Sequence, residues 1–201
     1  MECKTHIVCA NALALAFVRP DSPTSLLLTL AAATIGGTIS DIDVSDKEHN
    51  GYVFTYGIIA IVSVILLSLS EIIFHIGFND WIIENSSYPR INICLLLTIG
   101  LCYFGYLNPH RSFLHSFLGV GLLILLCYIA FGNVVIPFTI GIISHIVLDL
   151  FNKKGLWLLY PSKKRFSFKL CIYNGEVNFY LFNIFSVIFI IELMLLNSFW
   201  K

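Results

Sequence analysis

Long apolar segments that carry few charged residues dominate this sequence, and they limit the folds that it can adopt. Five of them approach or exceed the roughly 20 helical residues that cross about 30 Å of hydrocarbon. They lie at residues 52–74, 91–107, 114–131, 134–151 and 179–199. Because only 12% of the residues are charged, the chain cannot cover this apolar surface with a water-facing shell. The sequence therefore predicts an all-α, polytopic transmembrane helical bundle with five clear spans.

Two shorter apolar segments, residues 6–18 and 25–39, precede these spans. They are joined by residues 19–23, in which two prolines interrupt any continuous helix. We expect these segments to form an N-terminal helical hairpin that either crosses the membrane or is partly sunk in it. With the five spans it would form a single membrane-embedded domain, residues 1–201.

The positive residues are concentrated in one loop, residues 152–177. It carries Lys153, Lys154, Lys163, Lys164, Arg165 and Lys169, half of the twelve Lys and Arg residues of the chain. Since cytoplasmic loops retain such residues, this loop is predicted to be cytoplasmic. Alternating crossings then place residues 40–51, residues 108–113 and the start of the chain on the same side. The zero net charge offers no general basic surface, so no nucleic-acid partner is expected.

The strongest local motif is Ser144-His-Ile-Val-Leu-Asp149. His145 and Asp149 are four residues apart, so they project from the same face of a helix, a spacing that suits metal ligands. An imidazole and a carboxylate inside an apolar span are costly unless they pair with each other, with the backbone or with a cation. A neutral histidine that is hydrogen-bonded to the aspartate is the simpler alternative.

A second motif places His110, Arg111 and His115 at the boundary of the next span. Pro109 is well placed to begin a helix there. The planar guanidinium of Arg111 could bind an anionic group such as a phosphate. The alternative is that Arg111 only extends to the membrane surface or marks the cytoplasmic side.

Asp41 and Asp43 follow the second apolar segment and form a third motif. Carboxylate oxygens of this kind complete divalent metal sites, although a solvated helix end would look the same. The preceding Gly36 and Gly37 permit close helix packing.

The remaining histidines differ in their predicted positions. His6 lies at the mouth of the first segment on the cytoplasmic side, whereas His49 falls in a polar loop and His75 on the opposite side. Imidazoles mixed with carboxylates suit Zn²⁺, with Mn²⁺ or Fe²⁺ as alternatives, better than Ca²⁺ or Mg²⁺. The predicted ligands of one or two such ions are His6, Asp41, Asp43, His110, His115, His145 and Asp149.

The order of these motifs resembles that of the YdjM-like family of LexA-regulated, inner-membrane-associated metal-dependent hydrolases. The resemblance covers roughly residues 5–180. It rests on an early His, G-x-x-x-D-x-D, H-R-x-x-x-H-S and S-H-x-x-x-D, followed by G-x-x-L-L-x-P and R-F. The chain departs from the family pattern where Ser40 replaces the proline before Asp41, and where Leu114 precedes the second histidine.

The resemblance implies a multi-pass hydrolase of the bacterial inner (cytoplasmic) membrane. We expect its metal site to face the cytoplasm and to activate a water that cuts an ester or phosphoester in a lipid or lipid-linked substrate. Arg111, Asp43 and His115 are expected to take part in catalysis. The basic loop, with its neighbouring aromatic residues, would lie against anionic membrane lipids. The residues expected to bind substrate are Arg111, Lys163, Lys164 and Arg165.

Two other functions remain open. The first is a divalent-metal carrier that uses the same ligands as a transit site, which should have polar residues continuing towards the far side. The sequence offers little there beyond Glu71 and Glu192. The second is a structural or regulatory membrane protein whose site has decayed, an alternative that the departures from the family pattern keep open.

Overall fold

A computed structural model describes residues 2–43, 73, 80, 87–170 and 175–199 of the chain. The helices with described bounds are α1 (Cys3–Val18), α2 (Pro23–Thr38), α3 (Tyr88–Leu107), α4 (Phe117–Phe131), α5 (Val135–Leu150) and α6 (Glu176–Phe199). Pairing between extended segments is limited, within these ranges, to one isolated bridge between Leu156 and Phe166. The predicted all-α class is confirmed.

Four described stretches are long and apolar enough to cross a membrane. They are Pro23–Asp43, Tyr88–Leu107, Phe117–Leu150 and Glu176–Leu196, and the shorter helix α1 is also apolar. The predicted helical membrane bundle is therefore confirmed. The predicted span at residues 52–74, apart from Ile73, lies outside the described residues, as do His49 and His75.

The stretch Phe117–Leu150 is a hairpin of two helices. A continuous helix of its 34 residues would be about 51 Å long, far more than one crossing needs. The α-helix ends instead at Gly132, whose φ of 55° is a conformation that glycine adopts readily. The Nε2 atom of His115, just before α4, lies 3.3 Å from that of His145, near the end of α5. The two helices therefore run antiparallel.

Helices α1, α2 and α5 pack closely because small residues line their contacts. A Cβ atom on Gly36 would overlap the carbonyl oxygen of Phe138, and one on Gly141 would overlap that of Ala33. The backbones of α2 and α5 can approach this closely only without side chains at those positions. This packing fixes the end of α2 against the last turns of α5.

One end of the bundle collects the polar residues. The ring of His6, at the start of α1, stacks on His145 of α5 with centroids 4.0 Å apart. Thr5 Oγ1 donates a hydrogen bond to Asn178 Oδ1 of α6 at 3.0 Å. Helices α1, α4 and α6 therefore begin at this end, where α2, α3 and α5 finish, and we call it the polar end.

The loop after α5 folds over the polar end. Leu156 and Phe166 exchange backbone hydrogen bonds of 2.9 Å, which closes the loop on itself. The amide of Trp157 donates to Arg111 O, and the amide of Phe117 donates to Leu158 O, both at 3.0 Å. The loop is thus attached to the segment between α3 and α4.

Candidate metal centre

Four donor side chains, three buried and one partly buried, meet at the polar end. Asp41 comes from the 3₁₀ turn after α2, His115 from the turn before α4, and His145 and Asp149 from the last turns of α5. One ligand atom of each lies within 4.8 Å of the others. The two histidines and Asp149 are at most 1% exposed, and the side chain of Asp41 is 13% exposed. Residues far apart in the sequence therefore form one compact donor group.

The spacing of these donors fits a tetrahedral ion. His145 Nε2 lies 3.3 Å from His115 Nε2 and 3.5 Å from Asp41 Oδ1. His115 Nε2 lies 3.7 Å from Asp41 Oδ1 and 3.8 Å from Asp149 Oδ2. Ligands around a zinc ion with bonds of about 2.0–2.1 Å are separated by about 3.3 Å. Four of the separations in the group, 3.3–3.8 Å, are close to this value, and all lie within 4.8 Å.

Both histidines of the group direct their second ring nitrogen at an acceptor. His145 Nδ1–H donates to Gly37 O at 2.8 Å, and His115 Nδ1 lies 3.4 Å from Asp43 Oδ2, near it but without a hydrogen bond. Metal-binding histidines usually donate their other N–H to a carbonyl or carboxylate, which leaves a lone pair for the ion. The donor chemistry therefore fits a divalent cation bound through both Nε2 atoms.

Asp43 links His115 to the mouth of the site. Its Oδ1 accepts a 2.6 Å hydrogen bond from His110 Nδ1, and its Oδ2 accepts one from the Arg111 amide at 3.1 Å. Asp41, Asp43, His110 and His115 form a second group whose ligand atoms lie within 4.8 Å of one another. The side chain of His110 is 25% exposed, so this group lies closer to the surface.

His6 lies behind the donor group. It is 1% exposed, stacks on His145, and places its Nε2 3.5 Å from Asp149 Oδ1. Neither group of four includes it. Its position is suited to supporting Asp149 and His145.

Arg111 is held in place by its backbone and its side chain. The residue is 8% exposed, and its φ of 67° is uncommon for a residue other than glycine. Its Nη2 lies 3.2 Å from Asp149 Oδ2. Such strained conformations persist where the surroundings determine them, and they cluster at functional sites.

The charges of the cluster favour an added cation. Asp41, Asp43 and Asp149 outnumber the single guanidinium of Arg111, and buried charge of this kind is costly unless it is compensated. Burial would lower the pKa of His115, but the carboxylates of Asp43 and Asp41 outweigh it and raise that pKa to about 10. The cluster thus attracts positive charge strongly enough to keep a proton on His115 at neutral pH.

The other predicted substrate-binding residues lie at the surface of the loop. Lys163, Lys164 and Arg165 are exposed, and Lys164 Nζ lies 5.4 Å from the ring centroid of Phe166. They share the polar end with Arg111 but are not part of the buried donor group.

Two contributions to the site were not foreseen from the sequence. The carbonyl oxygen of Gly37 orients His145, and Ser40 Oγ, fully buried, donates to Leu114 O at 3.1 Å. The paired glycines indicated close packing, but the direction of a single carbonyl depends on how α2 and α5 meet.

Comparison with known protein families identifies a relationship. A family model described as YdjM inner membrane protein matches residues 1–199. No curated protein and no solved structure matches the chain. The matched range includes every residue of the buried donor group.

Proposed function

The chain belongs to the YdjM inner membrane protein family, and on that premise we propose that it is an integral membrane metal-dependent hydrolase. Its substrate would be an ester or phosphoester of a lipid or lipid-linked molecule. The observation that carries the proposal is the meeting of two imidazoles and two carboxylates, buried and within 4.8 Å of one another. Such a group inside an apolar bundle is costly without a cation.

The ion would be held by Asp41, His115, His145 and Asp149, with zinc as the first choice and manganese or iron as alternatives. A divalent ion in such a site supplies a Lewis acid and lowers the pKa of a water to about 7. A second ion would be held by residues of the other group, which consists of Asp41, Asp43, His110 and His115.

The remaining polar residues have separate tasks in this proposal. Asp43 holds His115 in the orientation that presents its Nε2 to the ion. Arg111 supplies a fixed positive charge beside Asp149, where charge develops during ester cleavage. His110, at the mouth, can pass a proton through its Nε2 to a leaving group while Asp43 accepts the hydrogen bond from its Nδ1.

An apolar groove supports the choice of a lipid substrate. It opens between α4 and α5 with a volume of about 480 Å³, and its lining includes Gly121, Ile124, Leu125, Ile136, Thr139 and Ile140. Gly121 follows His115 by six residues, and Ile140 precedes His145 by five. At about 1.5 Å per residue, the groove begins roughly 8–9 Å from the donor group along the helices. A lipid chain in the groove would bring its headgroup to the polar end.

The first test is elemental analysis of the detergent-purified protein and of two variants, His145→Ala and Asp149→Ala. We expect stoichiometric metal in the wild type and its loss in both variants. Asp21→Ala, in the exposed turn between α1 and α2 at the other end of the bundle, is the matched control and should keep its metal. Equal, negligible metal in all four proteins would refute the site.

A second test separates hydrolase from carrier. The metal-loaded protein should hydrolyse at least one member of a panel of phospholipids and lipid phosphates, and a chelator should abolish this activity. Uptake of the metal into proteoliposomes without hydrolysis of any lipid would favour the carrier instead.

A further inference from the structure

Arg111 has hydrogen-bonding capacity that the described residues leave unused. Its Nη2 faces Asp149 Oδ2 at 3.2 Å, but its Nε and Nη1 are buried and have no hydrogen-bond partner among the described residues. A buried donor without a partner is costly, and more so on a charged group. These two nitrogens are therefore available to an acceptor other than the described residues.

The way in which Arg111 is held argues against a role as a simple counter-charge. An arginine that only neutralised a neighbouring aspartate could extend its long side chain to water. Here the Asp43 carboxylate accepts from the backbone amide, and the Trp157 amide donates to the backbone carbonyl. Together with the left-handed φ, these contacts hold the guanidinium next to the donor group.

The charge of the site indicates what the acceptor is. The carboxylates of Asp41, Asp43 and Asp149 and the guanidinium of Arg111 together carry a net charge of −2. One divalent ion would neutralise this charge, and two ions would make the site positive. An oxyanion with several acceptor oxygens can accept from one edge of the Arg111 guanidinium and also bind the adjacent ion, and phosphate is a group that arginine commonly binds through such an edge. A carboxylic ester is neutral and presents only one carbonyl oxygen to such donors.

We propose that Arg111 is an oxyanion ligand and that the reacting group bound at this site is a phosphate ester. This inference rests on the proposed function and narrows it from esters in general to phosphoesters. Phosphate oxygens accept from Nε or from Nη1 of Arg111 together with one N–H of Nη2 on the same edge, while the other N–H of Nη2 remains with Asp149.

The test measures binding of inorganic phosphate to the zinc-loaded, detergent-purified protein by isothermal titration calorimetry. Hydrogen bonds to charged groups correspond to about a 10–100-fold change in affinity, so Arg111→Gln should weaken phosphate binding by that factor. Arg111→Lys keeps the charge but not the planar donors, and we expect an intermediate loss. Arg19→Gln removes the same charge from an exposed position at the opposite end and should bind phosphate as the wild type does.

Metal content of each variant is measured in parallel. Retained metal with weakened phosphate binding supports the proposal. Unchanged phosphate affinity in Arg111→Gln or Arg111→Lys overturns it, and so does a wild type that holds metal but binds no phosphate. Loss of metal from both variants also overturns it, because Arg111 would then be only a support for Asp149. A wild type without metal would refute the proposed function itself, which keeps the two failures distinguishable.

Two further ligands show whether the bound phosphate belongs to a lipid headgroup or to a soluble phosphate ester. Phosphatidic acid in nanodiscs and soluble glycerol phosphate carry the same phosphomonoester, with and without acyl chains. Stronger competition by phosphatidic acid assigns a lipid headgroup, and equal competition assigns a soluble phosphate ester. Competition by neither would contradict the phosphate assignment.

Discussion

Asp43 connects three residues at the mouth of the proposed metal site. Its carboxylate contacts His110, the Arg111 amide and His115. If Asp43 only orients His115, then Asp43→Asn should weaken zinc affinity by about 10–100-fold, the usual effect of changing such a supporting group. Competition with a chromophoric chelator measures this, with Asp21→Asn as the control. A loss as complete as that of Asp149→Ala would make Asp43 a ligand and favour the group that contains His110.

We expect His115 to make metal uptake depend on pH. Its pKa of about 10 means that the metal-free protein keeps a proton on this ring through neutral pH, and the ion has to displace that proton. Each unit by which the pH falls below the pKa should therefore weaken apparent metal affinity about tenfold through this group.

Calorimetric titration of the metal in buffers of different ionisation enthalpy measures the protons released. We expect about one proton per ion from His115 at pH 7. The result that would contradict this is metal uptake without proton release, together with an affinity that stays level from pH 6 to pH 8.

At the scale of elements, the contact of α2 with α5 connects packing to the site. A Cβ atom at Gly141 would meet Ala33 O and approach Gly37 N at 2.9 Å, so Gly141→Ala should push the helices apart. Overpacking of this kind costs about 1–3 kcal/mol. Because Gly37 O orients His145, metal affinity should fall together with the melting temperature in detergent.

Gly100 of α3 is the matched control for this prediction. A Cβ atom there meets nothing within 4 Å. Gly100→Ala should leave metal affinity unchanged and slightly raise stability, since alanine favours the helix by up to about 1 kcal/mol. Equal effects of the two substitutions would rule out the packing explanation.

The sequence predicted the elements better than it predicted their contacts. The spacing of His145 and Asp149 defines one helix face, because helical geometry alone determines it. The stacking of His6 behind His145 depends on how far α1 and α5 overlap, and no local pattern records that overlap. The hydrogen bond from His145 to the Gly37 carbonyl likewise depends on how the backbones of α2 and α5 meet, which no local sequence pattern records.

At the scale of the whole molecule, the turn between α1 and α2 and the loop after α5 lie at opposite ends. The positive residues of that loop predict that the polar end is cytoplasmic. Lys164→Cys should therefore react with a membrane-impermeant maleimide in inverted vesicles, and Asp21→Cys in intact spheroplasts. If both cysteine variants react from the same side of the membrane, the two loops do not lie at opposite ends. If Lys164→Cys reacts only in spheroplasts and Asp21→Cys only in inverted vesicles, the polar end is not cytoplasmic.

The alternation of helix directions was sufficient to predict that the motifs lie at one end of the bundle. When successive helices run in opposite directions, every second connection between them lies at the same end. The alternation of helix directions does not determine the distances between the motifs at that end. The sequence predicted that Lys163, Lys164 and Arg165 bind substrate together with Arg111. In the structure only Arg111 of these four residues is buried. Burial depends on the fold of the loop, which the backbone contacts of Leu156 and Trp157 determine.

The shortness of the hairpin bears on the surrounding lipid. Helices α4 and α5 contain 15 and 16 residues, so they measure about 22–24 Å against a hydrocarbon thickness of about 30 Å. We expect the bilayer around such a pair to become thinner locally, which is one response to a short span and has a modest cost per ångström of mismatch. Headgroups beside the hairpin would then sink towards the donor group. A phospholipid could present its ester there without being lifted out of its leaflet.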